Sequence, residues 1–374
     1  MSSGGTATST ALNSGGFLNV ASGGTATSIS QASGGALQAY AGATLSGTNA
    51  LGGFSVSNGQ ANSLLLENGG FLYVQSGQSA VSTTVRSGGA LRIYDGGTAT
   101  QVAQSAGGAL QAWTGATVSG TNTLGGFSVS SGLASNVLLE NGGFLYVENG
   151  NSAVSTTIRT GGTLTVYSGG SASSVAQSSG GALQTYTGAT VSGTNALGNF
   201  SVSNGVASNL LLENGGFLYV LSGNHASGTT ANQGGIEYVV NGGSAVSTTV
   251  NSGGMLVVYD GGSAATVAQS SGGALQTYTG ATVSGTNVLG SFSVSGGQAN
   301  SLLLENGGAL FVETGGNASG TVIRQNGVQY VSSGVLLSAQ PLTLAAFWSS
   351  MTAVLPLPSR NPPEARCRLT PAQP

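Results

Sequence analysis

Four glutamates recur in one setting: Glu67, Glu140, Glu213 and Glu305 each close the phrase LLLEN or VLLEN. Paired carboxylates do the acid–base work of glycosidases, where the two groups stand ~5–10 Å apart. Successive copies here are separated by four or five short repeat units. At ~4.8 Å of rise per unit that spacing becomes about 19–24 Å, too far for one sugar. Glu148 and Glu313 follow more closely after Glu140 and Glu305, but the other blocks carry Gln75 and Leu221 at that point. A polysaccharide lyase would add a basic residue or a calcium site, and Asp95 and Asp260 are the only aspartates. The four glutamates therefore read as solvated surface groups, and no catalytic residue is expected.

Other reactive residue types are scarce. The single His225 sits beside Asn224 and near Ser227, with no carboxylate neighbour in sequence and no nucleophile elbow, and reads as a solvated turn residue. The single Cys367 reads as an unselected thiol, and one Cys with one His supports neither a disulfide framework nor a zinc cluster. Calcium-binding solenoid repeats need GGxGxD, whereas the turns here carry Thr, Ser or Ala after the glycines. No metal and no cofactor is expected. Lysine is absent, and the seven basic residues are Arg86, Arg92, Arg159, Arg324, Arg360, Arg366 and Arg368. A nucleic-acid partner is excluded, because phosphate neutralisation needs a cationic stripe.

The elements that hold these residues are repetitive. The 374-residue chain has 66 Gly and 39% hydrophobic residues but only 5% charged ones. Disorder goes with low hydrophobicity and high charge, so the composition points to a repeated small unit. Turns of two residues, mostly Gly-Gly, recur every 17, 18 or 19 residues from Gly15 to Asn326. A longer period overlies them: GGALQAY at Gly34 returns at Gly107, Gly180 and Gly272, at spacings of 73, 73 and 92. The last spacing is longer by one whole unit, around Asn224 to Val240. Stacked coils accept such an insertion because each coil touches only its neighbours.

Each Gly pair precedes a short β-rich run such as FLYV at Phe71 or ALRIY at Ala90. Leu72/Val74 and Leu91/Ile93 stand two apart, so one set faces inward and the alternate set outward. FSVS at Phe54, Phe127, Phe200 and Phe292 shifts that phase by one residue. Helix is disfavoured by the glycine density, at roughly 1 kcal/mol each. The expected fold is all-β, a parallel β-helix of about 18 coils and roughly 85 Å in length.

Residues 2–333 form the repeat domain in this reading, and residues 334–374 an irregular tail unrelated to it. All seven Pro lie in the tail, as suits continuous strand ladders upstream. The stretch Leu342 to Leu357 is apolar but shorter than the ~20 residues of a membrane span. The tail reads as out of register with an ancestral gene, and the chain as starting mid-pattern without an export signal. A truncated or frameshifted remnant is thus the alternative to a functional passenger.

SGGTATST at Ser3, SGGTATSIS at Ser22 and STTVRSGGALRIYDGGTAT at Ser82 resemble the 19-residue repeats of self-associating bacterial autotransporter adhesins of the diffuse-adherence type. The resemblance covers roughly residues 2–333. It implies a right-handed β-helix passenger, carried to the bacterial surface by its own C-terminal barrel. It implies cell–cell aggregation, biofilm growth and adhesion through like passengers or a host-cell or matrix receptor. It also implies O-heptosylation of Ser and Thr by a dedicated heptosyltransferase. The candidate glycan acceptors are Thr6, Thr8, Thr25, Thr27, Thr98, Thr100, Ser171, Ser244 and Ser263 at the SGGTAT-type turns. Apart from the resemblance, these hydroxyls read as a neutral exterior that solvates the turns and suits β geometry. Ice binding by ranks of Thr-x-Thr is disfavoured, since SAVS interrupts the rank at Ser79 and Ser152.

Overall fold

The computed structural model describes residues 1–332 and 365–367. Among them the regular elements are all strands, and no helix is long and apolar enough to cross a membrane. The stretch 342–357 lies outside the described residues. Chain contacts separate into two compact units: Met1–Thr185 with Ala189–Asn199, and Tyr186–Gly188 with Phe200–Pro374.

In the first unit one coil is built as follows. The strand Ala90–Ile93 leads through Asp95-Gly96-Gly97 to Thr98–Gln104, then through Gly107-Gly108 to Ala109–Trp113. The long strand bends at Gln101, whose φ is 55°. Each coil therefore has three straight segments and three corners. Stacking is parallel at a step of 19: Phe71 pairs with Ala90 and Ala90 with Ala109, while Ser79 pairs with Thr98.

The Gly pair divides its labour. Gly88 has a φ of 74°, a left-handed turn conformation that side chains disfavour. A Cβ on Gly89 would instead lie 2.1 Å from the Leu66 carbonyl oxygen in the coil beneath. One glycine turns the chain and the next lets stacked corners touch.

The core follows the alternation of the sequence. Leu72, Val74, Leu91 and Ile93 are fully buried on one face, Ala80 and Ala99 on the second, Leu66 and Val85 on the third. The second unit repeats the plan: Ile236–Val239 stacks between Phe217–Val220 and Met255–Val258, again 19 residues apart. Its inserted coil enters the ladder without breaking register.

The FSVS segments depart from simple coiling. In the first unit Thr44–Asn49 runs antiparallel to Gly52–Ser57, with Leu45 facing Val56, and Gly52–Ser57 runs antiparallel to Gln60–Asn62. Thr117–Asn122, Gly125–Ser130 and Leu133–Ser135 repeat this meander. In the second unit Thr282–Asn287, Gly290–Ser295 and Gln298–Asn300 do likewise. These short units are hairpin excursions on one face, so the period of Gly pairs counts turns and excursions together. On the opposite sheet Ala36–Tyr40 pairs straight with Phe71–Val74, Gln38 facing Phe71. Phe54 and Val56 still share a buried face, as their alternation requires. The strand Ala365–Cys367 pairs antiparallel with Val328–Val331.

Candidate functional site

The recurring glutamates are buried, contrary to the solvated placement read from the sequence. Glu67, Glu140 and Glu305 are each 5% exposed. Along an ordinary corner, the N–H of a turn glycine donates to a glycine one coil on, as Gly15 does to Gly34 and Gly88 to Gly107. Above Gly34 the hairpin removes that partner. Glu67 Oε1 accepts the orphaned Gly34 N–H at 2.7 Å, and Glu67 Oε2 lies 3.5 Å from Arg86. Glu140 does the same for Gly107 with Arg159, and Glu305 for Gly272 with Arg324. Gln31 Nε2 joins the patch, donating to the Gly35 and Leu65 carbonyls at 2.8 and 3.1 Å. Both side chains carry the ladder across the gap, because a buried N–H or C=O left unpaired is costly. Glu213 is similarly buried.

Two further carboxylate pairs lie at another corner. Glu148 faces Asp95, and burial, then the Asp95 charge, raises its carboxyl above the ordinary range. In the second unit burial raises Glu313, followed by a hydrogen bond and like charge from Asp260. Their partners are thus these aspartates, two coils back, rather than the nearby Glu140 and Glu305.

Glu237, which sequence reading passed over, is fully buried in the inserted coil. It occupies the column of Leu218 and Leu256. Thr248 Oγ1 donates to its Oε2 at 2.7 Å, and burial pushes the carboxyl up to about 7 despite hydrogen bonds from Thr248 and Thr229. The available signal was IEYV standing where neighbouring coils have FLYV and MLVV.

The outward side of the strands carries the hydroxyls. In the first unit Thr6, Thr25 and Thr44 share one register column, with Thr8 beside Thr27. Ser79, Thr98 and Thr117 form the next run, with Thr100 opposite Val81, and Ser152, Ser171 and Thr190 the third. In the second unit His225, Ser244, Ser263 and Thr282 form a register column of their own. Thr6 and Thr8 are exposed, and the other seven candidate acceptors are half-buried. His225 is exposed but begins a strand, His225–Ser227, rather than lying in a turn. Not every Thr-x-Thr faces out: Thr185, Thr187, Thr277 and Thr279 are buried.

Aromatic rings line the outer face of the opposite sheet, a feature absent from the sequence reading. In the first unit Tyr94 stacks on Trp113 at 4.8 Å, and Trp113 contacts Tyr146 at 5.2 Å. In the second unit Tyr278 stacks on Phe311 at 4.4 Å, and Phe311 on Tyr330 at 4.7 Å.

Parallel coils stacked in register, with hydroxyls on the outward strand positions, define a β-solenoid. The chain belongs to the family described as adhesin of bacterial autotransporter system, probable stalk, which matches residues 46–108, 119–181, 192–254 and 284–340. Full-length members of such autotransporter systems are surface or secreted proteins. Over 89 residues the chain is 71% identical to Autotransporter CRAC of Citrobacter rodentium (strain ICC168). That match takes in 24% of this chain and 6% of the relative, so the chain spans only a small part of the relative's length. The crystal structure of a TibC-catalysed hyper-glycosylated TibA fragment is similar over 90% of this chain and 100% of its own, at 28% identity and a TM-score of 0.29.

Proposed function

We propose that this chain is a stretch of a passenger stalk displayed on the bacterial surface, where it promotes cell aggregation and adhesion by associating with like passengers. The observation that carries the reading is the in-register column of outward hydroxyls, Thr6, Thr25 and Thr44 in one unit and Ser244, Ser263 and Thr282 in the other. With a formal net charge of −3 over 374 residues, two such surfaces meet little electrostatic repulsion. Side-by-side hydrogen bonds at about 1 kcal/mol net each then sum along the columns. Adhesion to a host-cell or matrix receptor would use the same surface.

The same hydroxyls are the proposed acceptors for O-linked heptose: Thr6, Thr8, Thr25, Thr27, Thr98, Thr100, Ser171, Ser244 and Ser263. They face away from the core on regular strands, so a transferase meets the same local geometry at each step. Co-expression with a heptosyltransferase followed by mass spectrometry should show added heptose units, and an unmodified mass removes the acceptor assignment. For aggregation, residues 2–333 are displayed through a supplied export signal and barrel. Cells should settle faster than cells carrying the barrel alone; equal settling rejects the proposal.

A further inference from the structure

The aromatic ladder on the outer face brings phenols into contact, because a tyrosine repeated at one register position recurs at the strand spacing of ~4.8 Å. In the second unit Tyr219 pairs with Tyr238, across the strands Phe217–Val220 and Ile236–Val239. Their ring centroids lie 4.4 Å apart and their planes 9° from parallel. Tyr186 stacks against Tyr219 at 5.1 Å, again within 9°. All three are half-buried, whereas Leu218, Val220 and Val239 between them point into the core. Burial raises the titration of the Tyr219 hydroxyl, and the neighbouring Tyr238 and Tyr186 raise it further. The hydroxyl ends are thus close enough to sense one another.

The other tyrosine pairs match less well. Tyr40 and Tyr73 share a register, but their planes are 51° apart and the Arg92 guanidinium stands 5.0 Å from the Tyr73 ring centroid. Tyr73 and Tyr94 are 6.4 Å apart at 54°, and Tyr146 and Tyr167 are 6.1 Å apart at 40°. Tyr259 and Tyr278 stand 6.0 Å apart at 25°. Trp113 separates Tyr94 from Tyr146, and Phe311 separates Tyr278 from Tyr330. Ring packing is served as well by phenylalanine, as Phe311 shows. What the hydroxyl adds in the Tyr186–Tyr219–Tyr238 stack is phenol chemistry.

We propose that Tyr219 and Tyr238 form a site of oxidative modification, joining as dityrosine when the chain meets hydrogen peroxide and a haem peroxidase. The peroxidase takes one electron and one proton from each phenol, and the peroxide is reduced to two waters. The two radicals then bond through ring carbons ortho to their oxygens. Each bonded carbon loses its hydrogen as a proton, and each oxygen regains one to restore the phenol. The chain has lost two hydrogen atoms in all. Coupling becomes unimolecular because the fold holds both radicals in adjoining coils. The rings face outward, so they can tilt from stacked to edge-joined while the Leu218 and Val239 core positions stay in place. The bond ties the coil that carries buried Glu237 to the coil before it, and a crosslink of this kind restricts the unfolded chain. It depends neither on the hydroxyl columns nor on aggregation.

The test is oxidation of the purified chain, in dilute solution, with hydrogen peroxide and a haem peroxidase. The monomer should lose the mass of two hydrogens and gain the blue fluorescence of dityrosine. Cleavage after glutamate leaves Tyr219 on fragment 214–237 and Tyr238 on fragment 238–305. These fragments should emerge joined, with tandem mass spectra placing the bond on the two rings. Y219F keeps the stack but removes the phenol common to both close pairs, and should cut the yield of monomeric dityrosine at least about fivefold, while Y73F leaves it unchanged. Circular dichroism verifies the β spectrum of each variant, and the bond mapped in the unaltered chain decides even where a variant fails to fold. No dityrosine, a bond between other tyrosines in its place, dityrosine confined to dimers, or an undiminished yield in Y219F would overturn the assignment. An equal yield from the chain unfolded in urea would also overturn it, since coupling would then owe nothing to the stack.

Discussion

Glu67 Oε1 accepts the Gly34 N–H at 2.7 Å across 33 residues of chain, in the place that a carbonyl holds on uninterrupted corners. This one contact explains a buried charge in a chain with few charges, and it recurs between Glu140 and Gly107 and between Glu305 and Gly272.

Glu67→Ala leaves the Gly34 N–H and Arg86 without their partner. A buried donor stripped of its acceptor costs about 1–3 kcal/mol, so urea unfolding should lose that much and the Gly34 amide should exchange faster. A loss below about 0.5 kcal/mol with unchanged exchange would mean that water replaces the carboxylate.

Glu237 makes stability depend on pH. Its carboxyl titrates at about 7 in the folded chain against 4.5 without burial. The folded state therefore holds the proton more tightly, and its contribution is fully present below 4.5. That contribution declines as pH rises from about 4.5 to about 7, at up to ~1.4 kcal/mol per unit. Leu218 and Leu256 flank it, the partner hydroxyls come from Thr229 and Thr248, and none of these titrates. Glu237→Leu should flatten the dependence and raise stability at pH 8. Denaturant midpoints from pH 4.5 to 8 decide it, and an unchanged slope in the variant contradicts the burial argument.

Glycines of a pair differ in cost. Gly77 has a φ of 74° with nothing within 4 Å of its notional Cβ, so Gly77→Ala should cost only ~1–2 kcal/mol of left-handed strain. Gly89→Ala drives a methyl into the Leu66 carbonyl and should cost about 3 kcal/mol or more by overpacking. Equal thermal shifts for the two variants would refute this division of roles.

Removing residues 225–243 takes out one coil. Val206 would then face Ser244 as it now faces His225, and Leu218 would face Leu256. The shortened chain should keep its β spectrum and lose the pH dependence attributed to Glu237. Deleting only residues 225–234 places a corner over a strand and should give a disordered spectrum. If both deletions behave alike, the coil is not the unit of folding.

Coil length, strand positions and the inward Leu72/Val74 column were legible because stacking at a constant step forces identical side chains into line. The hairpins were not. FSVS alternates in the same way whether its neighbour runs parallel or antiparallel, so a shift of phase at Phe54 was the sole trace. Burial of Glu67 was hidden because an isolated glutamate is ordinarily exposed. Its partner was nonetheless within reach of arithmetic: Arg86, Arg159 and Arg324 each follow a glutamate by 19 residues, one coil. The aromatic ladder was equally readable from the outward positions of FLYV, where the inward alternation drew notice first.

The central claim is that outward hydroxyl columns make displayed stalks adhere to one another. It is tested most directly by settling of cells that display residues 2–333 against cells displaying the same segment with Thr6, Thr25, Thr98, Ser244 and Ser263 changed to Val. Valine keeps β geometry and removes the hydroxyl, matching the shape of threonine and adding one methyl group beyond it at the two serines. The account predicts rapid clumping of the first cells and settling of the second at the rate of the barrel alone, at equal surface display. Undiminished clumping of the valine variant would contradict it.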